Sequence, residues 1–163
     1  MRRMIIDTDT AADDSFALLV GLLHPEAQLE AITIVSGNVD FDQQIQNALI
    51  TVDAAGRGGE VPVHIGARVP MTRPWYAAQA HGDGKGNHDF PVPTQKASAE
   101  RAADALVRIV DENPGQIDIV AIGPLTNIAT AMLLVRPDPI RSEERRVGKE
   151  CHSAGRSRWS PYH

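Results

Sequence analysis

The sequence predicts an α/β domain built on a mostly parallel β-sheet with helices on both faces. Three observations support this class. Short apolar runs rich in β-branched residues alternate along the chain with stretches whose apolar residues recur at helical spacing. Each apolar run ends in small or polar turn-forming residues, and the 163-residue chain is 42% hydrophobic, which suits one domain of ordinary size. Alternating strands and helices form a parallel sheet with right-handed crossovers.

The first three elements are a strand, a helix and a strand. Residues 4–9 form a short apolar run that ends in acids, which indicates a buried strand. Residues 13–24 place Phe and Leu side chains at helical spacing, and Pro25 closes this helix. Residues 29–35 are rich in strand-forming residues and end at a turn over Ser36-Gly37-Asn38.

The remaining elements continue the alternation. Residues 41–55 have a helical pattern that stops at a glycine-rich turn, and residues 61–65 form a third short strand. Residues 67–95 are rich in proline and glycine, show no regular element, and are typical of a binding loop, a lid or a disordered segment. A helix, a strand and a helix follow over residues 97–113, 117–122 and 125–135. This order is that of a Rossmann-like sheet, in which ligands bind beyond the carboxyl ends of the strands.

Composition and charge argue against several classes of protein. The chain carries 16 Lys and Arg against 21 Asp and Glu, a net charge of −5, whereas a nucleic-acid binder needs a concentrated basic face. No apolar run approaches the roughly 20 residues of a membrane span, and the apolar stretch near the N-terminus is too short for a secretory signal. A single cysteine, Cys151, cannot form an intramolecular disulfide. We therefore expect a soluble, cytoplasmic domain that binds neither nucleic acid nor membrane.

Residues 141–163 differ in kind from the rest of the chain. They carry six Lys or Arg and three Asp or Glu, so their net charge is +3 and that of residues 1–140 is −8. Their apolar residues follow neither a helical nor a strand period. The stretches 141–151 and 156–163 resemble the translation of a short-read sequencing adapter. We therefore expect a folded unit over residues 1–140 and a non-native tail over residues 141–163, with a natural basic, disordered tail as the alternative.

Four carboxylates lie within eight residues where the first strand ends and the first helix begins, namely Asp7, Asp9, Asp13 and Asp14. Anions this close raise one another's pKa unless a cation lies among them. Ca²⁺ tolerates the irregular geometry of loop carboxylates and carbonyls better than Mg²⁺ does. Alternatively, Asp13 or Asp14 caps the helix, which explains one or two of the acids but not Asp7 and Asp9. The cluster therefore predicts a metal or catalytic site.

These acids carry a resemblance to a known family. Asp7-Thr-Asp-Thr10 fits the opening loop of haloacid-dehalogenase-like phosphatases, but the added Asp13-Asp14 pair favours another family. The pattern D-x-D-x-x-x-D-D resembles the opening of the inosine–uridine-preferring nucleoside hydrolases. Three further stretches agree in order, namely Ile34-Val-Ser-Gly-Asn38, His81-Gly and Gly123-Pro-Leu-Thr-Asn-Ile-Ala129. The resemblance runs from residue 5 to about residue 135 and implies the N-terminal part of a nucleoside hydrolase fold.

The resemblance implies roles for the positions that match around the metal. Asp9 would be the general base that activates the attacking water, and it would also contact Ca²⁺. Asp14 would bind the ion with both carboxylate oxygens, and Thr126 would offer its backbone carbonyl. Asp7 would lie at the edge of the ion, either as a direct ligand or as a residue that supports a ligand. The implied reaction is the calcium-dependent hydrolysis of ribonucleosides to ribose and free base, in nucleoside catabolism and purine salvage.

Three further positions would bind the substrate. The resemblance implies that Asp13 binds the ribose hydroxyls and that Asn38 hydrogen-bonds to the ribose. His81 in the long loop would contact the ligand, although a histidine in a surface loop is more often without function. Trp75-Tyr76 could stack on a base or hold the loop in place, and the sequence leaves both open. The family also implies a homodimer or homotetramer.

Part of the family pattern is missing from this sequence. Family members are about twice as long, and their later half would carry an Asn/Glu/Asn cluster for the ribose and a His-Asp pair. That Asp would complete the calcium ligands, and that His would assist the leaving base. We therefore expect the 163-residue chain to be impaired as a catalyst and to expose an apolar edge of its sheet.

Two other functions stay open. A haloacid-dehalogenase-like phosphatase would use Asp7 as its nucleophile with Mg²⁺, but it needs a lysine and a further acid pair after a later strand, and no Asp-Asp pair follows Asp14. A calcium-dependent sugar-binding module would use the same oxygen groups without turnover. Phosphatase activity would require Mg²⁺ and be lost in Asp7→Asn, whereas hydrolase activity would require Ca²⁺ and be lost in Asp9→Asn.

Overall fold

The computed structural model describes residues 1–76, 78, 82–85 and 90–135. Its elements alternate between strand and helix along the chain, as predicted. The strands are β1 (Arg2–Thr8), β2 (Ala27–Ile34), β3 (Val63–Ile65) and β4 (Ile117–Ala121), and the helices are α1 (Ala12–Leu23), α2 (Phe41–Ala54), α3 (Ala102–Glu112) and α4 (Thr126–Leu134). No helix in these described ranges is long and apolar enough to span a membrane.

The four strands form one parallel sheet in the order β3-β2-β1-β4. β1 therefore lies inside the sheet, with β2 on one side and β4 on the other. Asp7 near the end of β1 lies opposite Thr33 in β2 and opposite Ala121 in β4. Because the strands are parallel, their carboxyl ends lie at one edge of the sheet, and the segments that follow β1, β2 and β4 meet there.

Helices cover both faces of the sheet, which confirms the predicted fold class. Successive residues of a strand point to opposite faces, so Ile6 joins the core under α1 and α2, while Ile5 joins the core under α3 and α4. The first core includes Leu18 and Leu22 of α1. The second is smaller and richer in alanine, with Leu106 of α3 as one of its larger residues. This alternation also decides which way the polar residues at the end of β1 face.

The start of α3 differs from its sequence prediction, which placed the helix over residues 97–113. The helix begins at Ala102, because the preceding segment is extended and lies along β3. Ser98 forms a parallel bridge to His64, and its amide donates a hydrogen bond to the Val63 carbonyl at 2.8 Å. A residue that pairs with a strand cannot also form the first turn of a helix.

The boundary between unit and tail stays a prediction. Residues 136–163 lie outside the described residues, so the expected non-native or disordered tail over 141–163 is not tested by the structure. The described residues of the 67–95 loop form neither helix nor strand, as the sequence indicated.

The β4 edge of the sheet exposes apolar side chains, as expected. β4 pairs with β1 on one side only within the part of the chain that the structure describes. Val120 and Ile122 are 37% and 39% exposed. Both line a groove of about 670 Å³, which is also lined by Met4 and Val20. Exposed apolar edge strands pair with other chains, so we expect the 163-residue chain to self-associate through β4.

A charge on β4 should suppress this association. We expect Val120→Lys to weaken self-association by roughly tenfold or more, because the lysine would have to be buried against a second chain. Sedimentation velocity over a series of protein concentrations measures the effect. Val92→Lys is the matched control, since Val92 is a loop residue that is 87% exposed. Equal association of wild type and Val120→Lys would show that β4 is not the contact.

Candidate active site

The site forms where the carboxyl end of β1 meets the segments that follow its two neighbours. The Val35 amide donates to the Thr8 carbonyl at 3.0 Å, and the Ile122 amide donates to the Asp7 carbonyl at 2.9 Å. These bonds extend the pairing of the strands by one residue on each side. As a result, the turn after β2 and the glycine after β4 both lie against Asp9, the first residue beyond β1.

Asp9 is the buried acid at the centre of this edge. Its side chain is almost completely shielded, and its Oδ2 accepts a hydrogen bond from the Asn38 amide at 2.8 Å. Burial raises the pKa of this carboxyl above its usual value, the Asn38 hydrogen bond opposes that rise, and the charges of Asp14 and Asp13 add to it. A carboxylate with a raised pKa is a stronger base than an exposed aspartate, which suits proton abstraction.

Two glycines allow the backbone to approach Asp9 closely. A Cβ atom on Gly37 would overlap the Asp9 carboxylate. A Cβ atom on Gly123 would lie 2.9 Å from the Asp9 amide nitrogen and 3.0 Å from Asp9 Oδ1, closer than real Cβ atoms usually come. The carboxylate is thus enclosed between two stretches of backbone that carry no side chain. Any larger residue at either position would displace it.

Asp14 connects β1 to the start of α1. Its Oδ1 accepts a hydrogen bond from the Thr8 hydroxyl, and its Oδ2 accepts one from the Ala11 amide, both at 3.0 Å. The second bond satisfies a backbone amide at the helix N-terminus, so the capping alternative applies to Asp14. Capping leaves lone pairs on both carboxylate oxygens, and Asp14 lies near enough to Asp9 to raise its pKa.

Asp7 faces the opposite side of β1 from Thr8 and is fully buried. Its Oδ1 accepts hydrogen bonds from the Thr33 hydroxyl at 2.5 Å and from the Asn127 side-chain amide at 2.8 Å. Its Oδ2 has no partner among the described residues. Burial raises the pKa of Asp7 to about 6, with a smaller contribution from the charge of Asp9, while the two hydrogen bonds oppose the rise.

The raised pKa of Asp7 predicts a pH dependence of stability in metal-free buffer. The folded chain holds the Asp7 proton up to about pH 6, whereas an unfolded chain releases it near 3.8. Unfolding therefore releases a proton between these values, and stability falls as the pH rises through this window, by roughly 3 kcal/mol at most. Urea unfolding at pH 4.5 and pH 7 measures this fall. We expect Asp7→Asn to lose less stability over the same interval, and an equal loss in both proteins would contradict the assignment.

Asn127 connects three segments, and no individual role was predicted for it from the sequence. Its Nδ2 donates to Asp7 Oδ1 at 2.8 Å and to the Ile34 carbonyl at 3.0 Å, and its Oδ1 accepts from the Ala67 amide at 2.8 Å. The side chain is 1% exposed. One amide at the start of α4 therefore fixes the ends of β1 and β2 and the beginning of the long loop. Its place within the Gly-Pro-Leu-Thr-Asn stretch was the available signal.

The structure describes three of the four other predicted positions. Asp13 is exposed in the first turn of α1, and its charge helps to raise the pKa of Asp9. Asn38 is exposed, and its backbone amide holds Asp9. Thr126 begins α4, and its carbonyl accepts a hydrogen bond from the Thr130 hydroxyl at 2.8 Å. His81 lies outside the described residues.

The donors at this edge fit a hard cation. The carboxylates of Asp9 and Asp14 and the carbonyl of Thr126 are oxygen donors of the kind that Ca²⁺ takes. The charge of Asp14 raises the pKa of Asp9, and a cation near both would relieve this repulsion. Within the described ranges, no group of three or more His, Cys, Asp or Glu side chains is arranged to hold a metal. The structure therefore supports Asp9 and Asp14 as neighbouring carboxylates. The Thr126 carbonyl, which accepts a hydrogen bond from the Thr130 hydroxyl, stays an oxygen donor that the resemblance implies.

Comparison of the sequence with known proteins gives close relatives. The model of the inosine-uridine preferring nucleoside hydrolase family matches residues 4–141. The chain is 44% identical to probable uridine nucleosidase 2 of Oryza sativa subsp. japonica over 134 residues, which cover 80% of this chain and 40% of the relative. It is 36% identical to the non-specific ribonucleoside hydrolase RihC of Salmonella agona, with 97% of this chain and 51% of the relative covered. The chain thus spans about two fifths to one half of these relatives.

Solved structures agree with this assignment. A plant nucleoside hydrolase superposes with a TM-score of 0.73 at 37% identity, over 82% of this chain and 43% of the other. The purine-preferring ribonucleoside hydrolase from Gardnerella vaginalis superposes with a TM-score of 0.76 at 33% identity, over 82% of this chain and 44% of the other. The family model covers well over half of the sequence, and fold and sequence agree on the same relatives. The chain therefore belongs to the inosine-uridine preferring nucleoside hydrolase family.

Proposed function

We propose that this chain carries the N-terminal part of the active site of an enzyme that hydrolyses the N-glycosidic bond of ribonucleosides, with Ca²⁺ as cofactor. The observation that carries the proposal is the environment of the Asp9 side chain. This side chain is a buried carboxylate at the carboxyl end of an internal parallel strand, with a raised pKa, one oxygen held by a backbone amide and further acids beside it. The membership of the chain in the nucleoside hydrolase family indicates which reaction this carboxylate would serve.

In this proposal Asp9 accepts a proton from the attacking water. Its burial and the charges of Asp14 and Asp13 make it a better proton acceptor than an exposed aspartate. Cleavage of the bond to the base develops positive charge on the ribose, and nearby carboxylates stabilise that charge. Asp13 and Asn38, both exposed beside Asp9, would hold the ribose hydroxyls and so orient the sugar towards the water.

Asp9, Asp14 and the Thr126 carbonyl would hold the cation. Calcium, when bound, supplies positive charge that favours ionisation of the attacking water and neutralises the neighbouring carboxylates. Asp7 would support this group from behind, since its Oδ1 is bound to Thr33 and Asn127 on the other side of β1. The bidentate ligation that the resemblance assigns to Asp14 would use Oδ1, which also accepts from the Thr8 hydroxyl, and Oδ2, which caps α1.

The relatives suggest the substrate class. They include uridine nucleosidases and non-specific ribonucleoside hydrolases among the sequences and a purine-preferring enzyme among the structures. Because these names cover both kinds of base, we propose ribonucleosides as a class, in nucleoside catabolism or purine salvage. A cytoplasmic location and a homodimer or homotetramer stay predictions.

The test compares the 163-residue chain with a grafted chain, in which residues 1–135 are continued by the part of Salmonella agona RihC that follows the matching position. Reducing sugar released from uridine and inosine is measured with Ca²⁺ and with EDTA. We expect hydrolysis by the grafted chain that requires Ca²⁺, and slower or no hydrolysis by the 163-residue chain. No sugar release by a folded grafted chain would contradict the proposal.

The same samples separate the two alternatives. A phosphatase would release phosphate from a phosphate monoester with Mg²⁺ and would use Asp7, but Asp7 is fully buried and already accepts two hydrogen bonds. A sugar-binding module would be stabilised by ribose or nucleoside in a thermal shift assay without releasing base. Either result in the grafted chain would replace the proposed reaction.

A further inference from the structure

We propose that Trp75 is a positioning residue for Asp9, acting through the turn formed by Gly37 and Asn38. This inference rests on the proposed function, because it assigns Asp9 the role of general base. The sequence left open whether Trp75 and Tyr76 stack on a base or hold the long loop. The structure gives Trp75 a specific polar contact within the protein.

The contact joins the long loop to the turn after β2. The indole Nε1 of Trp75 donates a hydrogen bond to the Gly37 carbonyl at 2.8 Å. Three residues further on, the Ala78 amide donates to the Asn38 carbonyl at 2.7 Å. Both carbonyls of the turn are therefore held by the loop. A partly buried indole ring combines a large packing surface with one fixed donor, and this suits such a role.

The turn formed by Gly37 and Asn38 restrains the Asp9 carboxylate. The Asn38 amide donates to Asp9 Oδ2 at 2.8 Å, and Gly37 lies so close to Asp9 that a Cβ atom would overlap the carboxylate. The turn therefore cannot shift towards Asp9 without a clash, nor away from it without loss of the hydrogen bond. Restraint of the Gly37 carbonyl by Trp75 thus becomes restraint of the Asp9 oxygens.

This chain of contacts predicts a local effect of removing the indole donor. Trp75→Phe keeps an aromatic ring but cannot bond to the Gly37 carbonyl. The Asn38 amide should then exchange with solvent roughly threefold to tenfold faster, the factor expected for one neutral hydrogen bond. The amide of Val35, which donates to the Thr8 carbonyl in the extended sheet, should not change.

The experiment is amide hydrogen exchange by NMR on the 163-residue chain, together with the ¹⁵N-resolved signal of the Trp75 indole. Tyr76→Phe is the control, since Tyr76 is adjacent and 81% exposed. A chain with benzothienylalanine at position 75 retains the size of the indole but replaces the N–H by sulfur. We expect this isostere to behave like Trp75→Phe, which a role in ring packing alone would not produce.

The outcomes separate this inference from the proposed function. Faster exchange at Asn38 in both donor-free chains, with unchanged exchange at Val35, supports the inference. Unchanged exchange at Asn38, or a change in Trp75→Phe that the isostere does not reproduce, overturns it. Since the exchange is measured without substrate, an absence of nucleoside hydrolysis by the folded grafted chain would contradict the function and leave this result intact. In an active grafted chain, Trp75→Phe should lower kcat more than it raises KM.

Discussion

Asp9→Asn is expected to abolish most of the hydrolytic activity of the grafted chain. Asparagine has nearly the same shape, and its side-chain oxygen can still accept the hydrogen bond from the Asn38 amide, but it cannot take a proton from water. Loss of a positioned general base costs roughly 10²- to 10⁴-fold in rate. We expect kcat for uridine and inosine to fall by this factor while KM changes little. Initial rates of reducing-sugar release give both constants.

The control for this variant is Asp118→Asn. Asp118 is an exposed acid on β4, and its ion pair with Arg2 is 3.9 Å long and solvent-exposed. Its neutralisation alters the net charge by the same amount as Asp9→Asn does but is remote from the Asp9 carboxylate, so the rate should stay near that of the parent chain. If Asp9→Asn retained more than about a tenth of the parent rate, Asp9 would not be the general base.

Asn127→Leu is expected to be the most destabilising single substitution at this edge of the sheet. Leucine has the same number of side-chain heavy atoms, branched at the same carbon, but leaves the Asp7 carboxylate, the Ile34 carbonyl and the Ala67 amide without their Asn127 partner. Unpaired buried polar groups cost roughly 1–3 kcal/mol each. We expect a loss of about 4 kcal/mol or more in the free energy of unfolding, measured by urea denaturation with EDTA present.

Thr130→Val on the same helix is the matched control for Asn127→Leu. Thr130 makes one hydrogen bond, from its hydroxyl to the Thr126 carbonyl one turn earlier, and its loss should cost about 1 kcal/mol. If Asn127→Leu prevents folding, Thr33→Val provides a milder test, because it removes one of the two donors to Asp7. A loss below about 1 kcal/mol for Asn127→Leu would show that the described contacts contribute little.

Local sequence patterns predicted the elements well, because each element has its own signal. Apolar periodicity and turn residues place all eight strands and helices in the described ranges, and most boundaries differ by a few residues. The exception is the start of α3, where Ser98 pairs with His64, 34 residues earlier in the chain. A pairing between distant residues leaves no periodic signal in the sequence, so the segment before Ala102 was assigned to the helix.

The site was predictable in place but not in detail. The acids near the end of β1 are adjacent in the sequence, so their clustering was visible without a structure. Asn127 binds Asp7 across 120 residues and Ala67 across 60, so local patterns could not reveal its role. Nor could they show that Asp7 faces Asn127 while Thr8 faces Asp14, because this follows from which face of β1 each helix covers.

Calorimetric titration of the grafted chain with Ca²⁺ is the most direct measurement, because the cation is what the Asp9 edge is proposed to hold. We expect binding of one Ca²⁺ per chain, weakened roughly ten- to hundredfold or more in Asp9→Asn and unchanged in Asp118→Asn. No binding at millimolar Ca²⁺ by a folded chain, or equal affinity in wild type and Asp9→Asn, would contradict it.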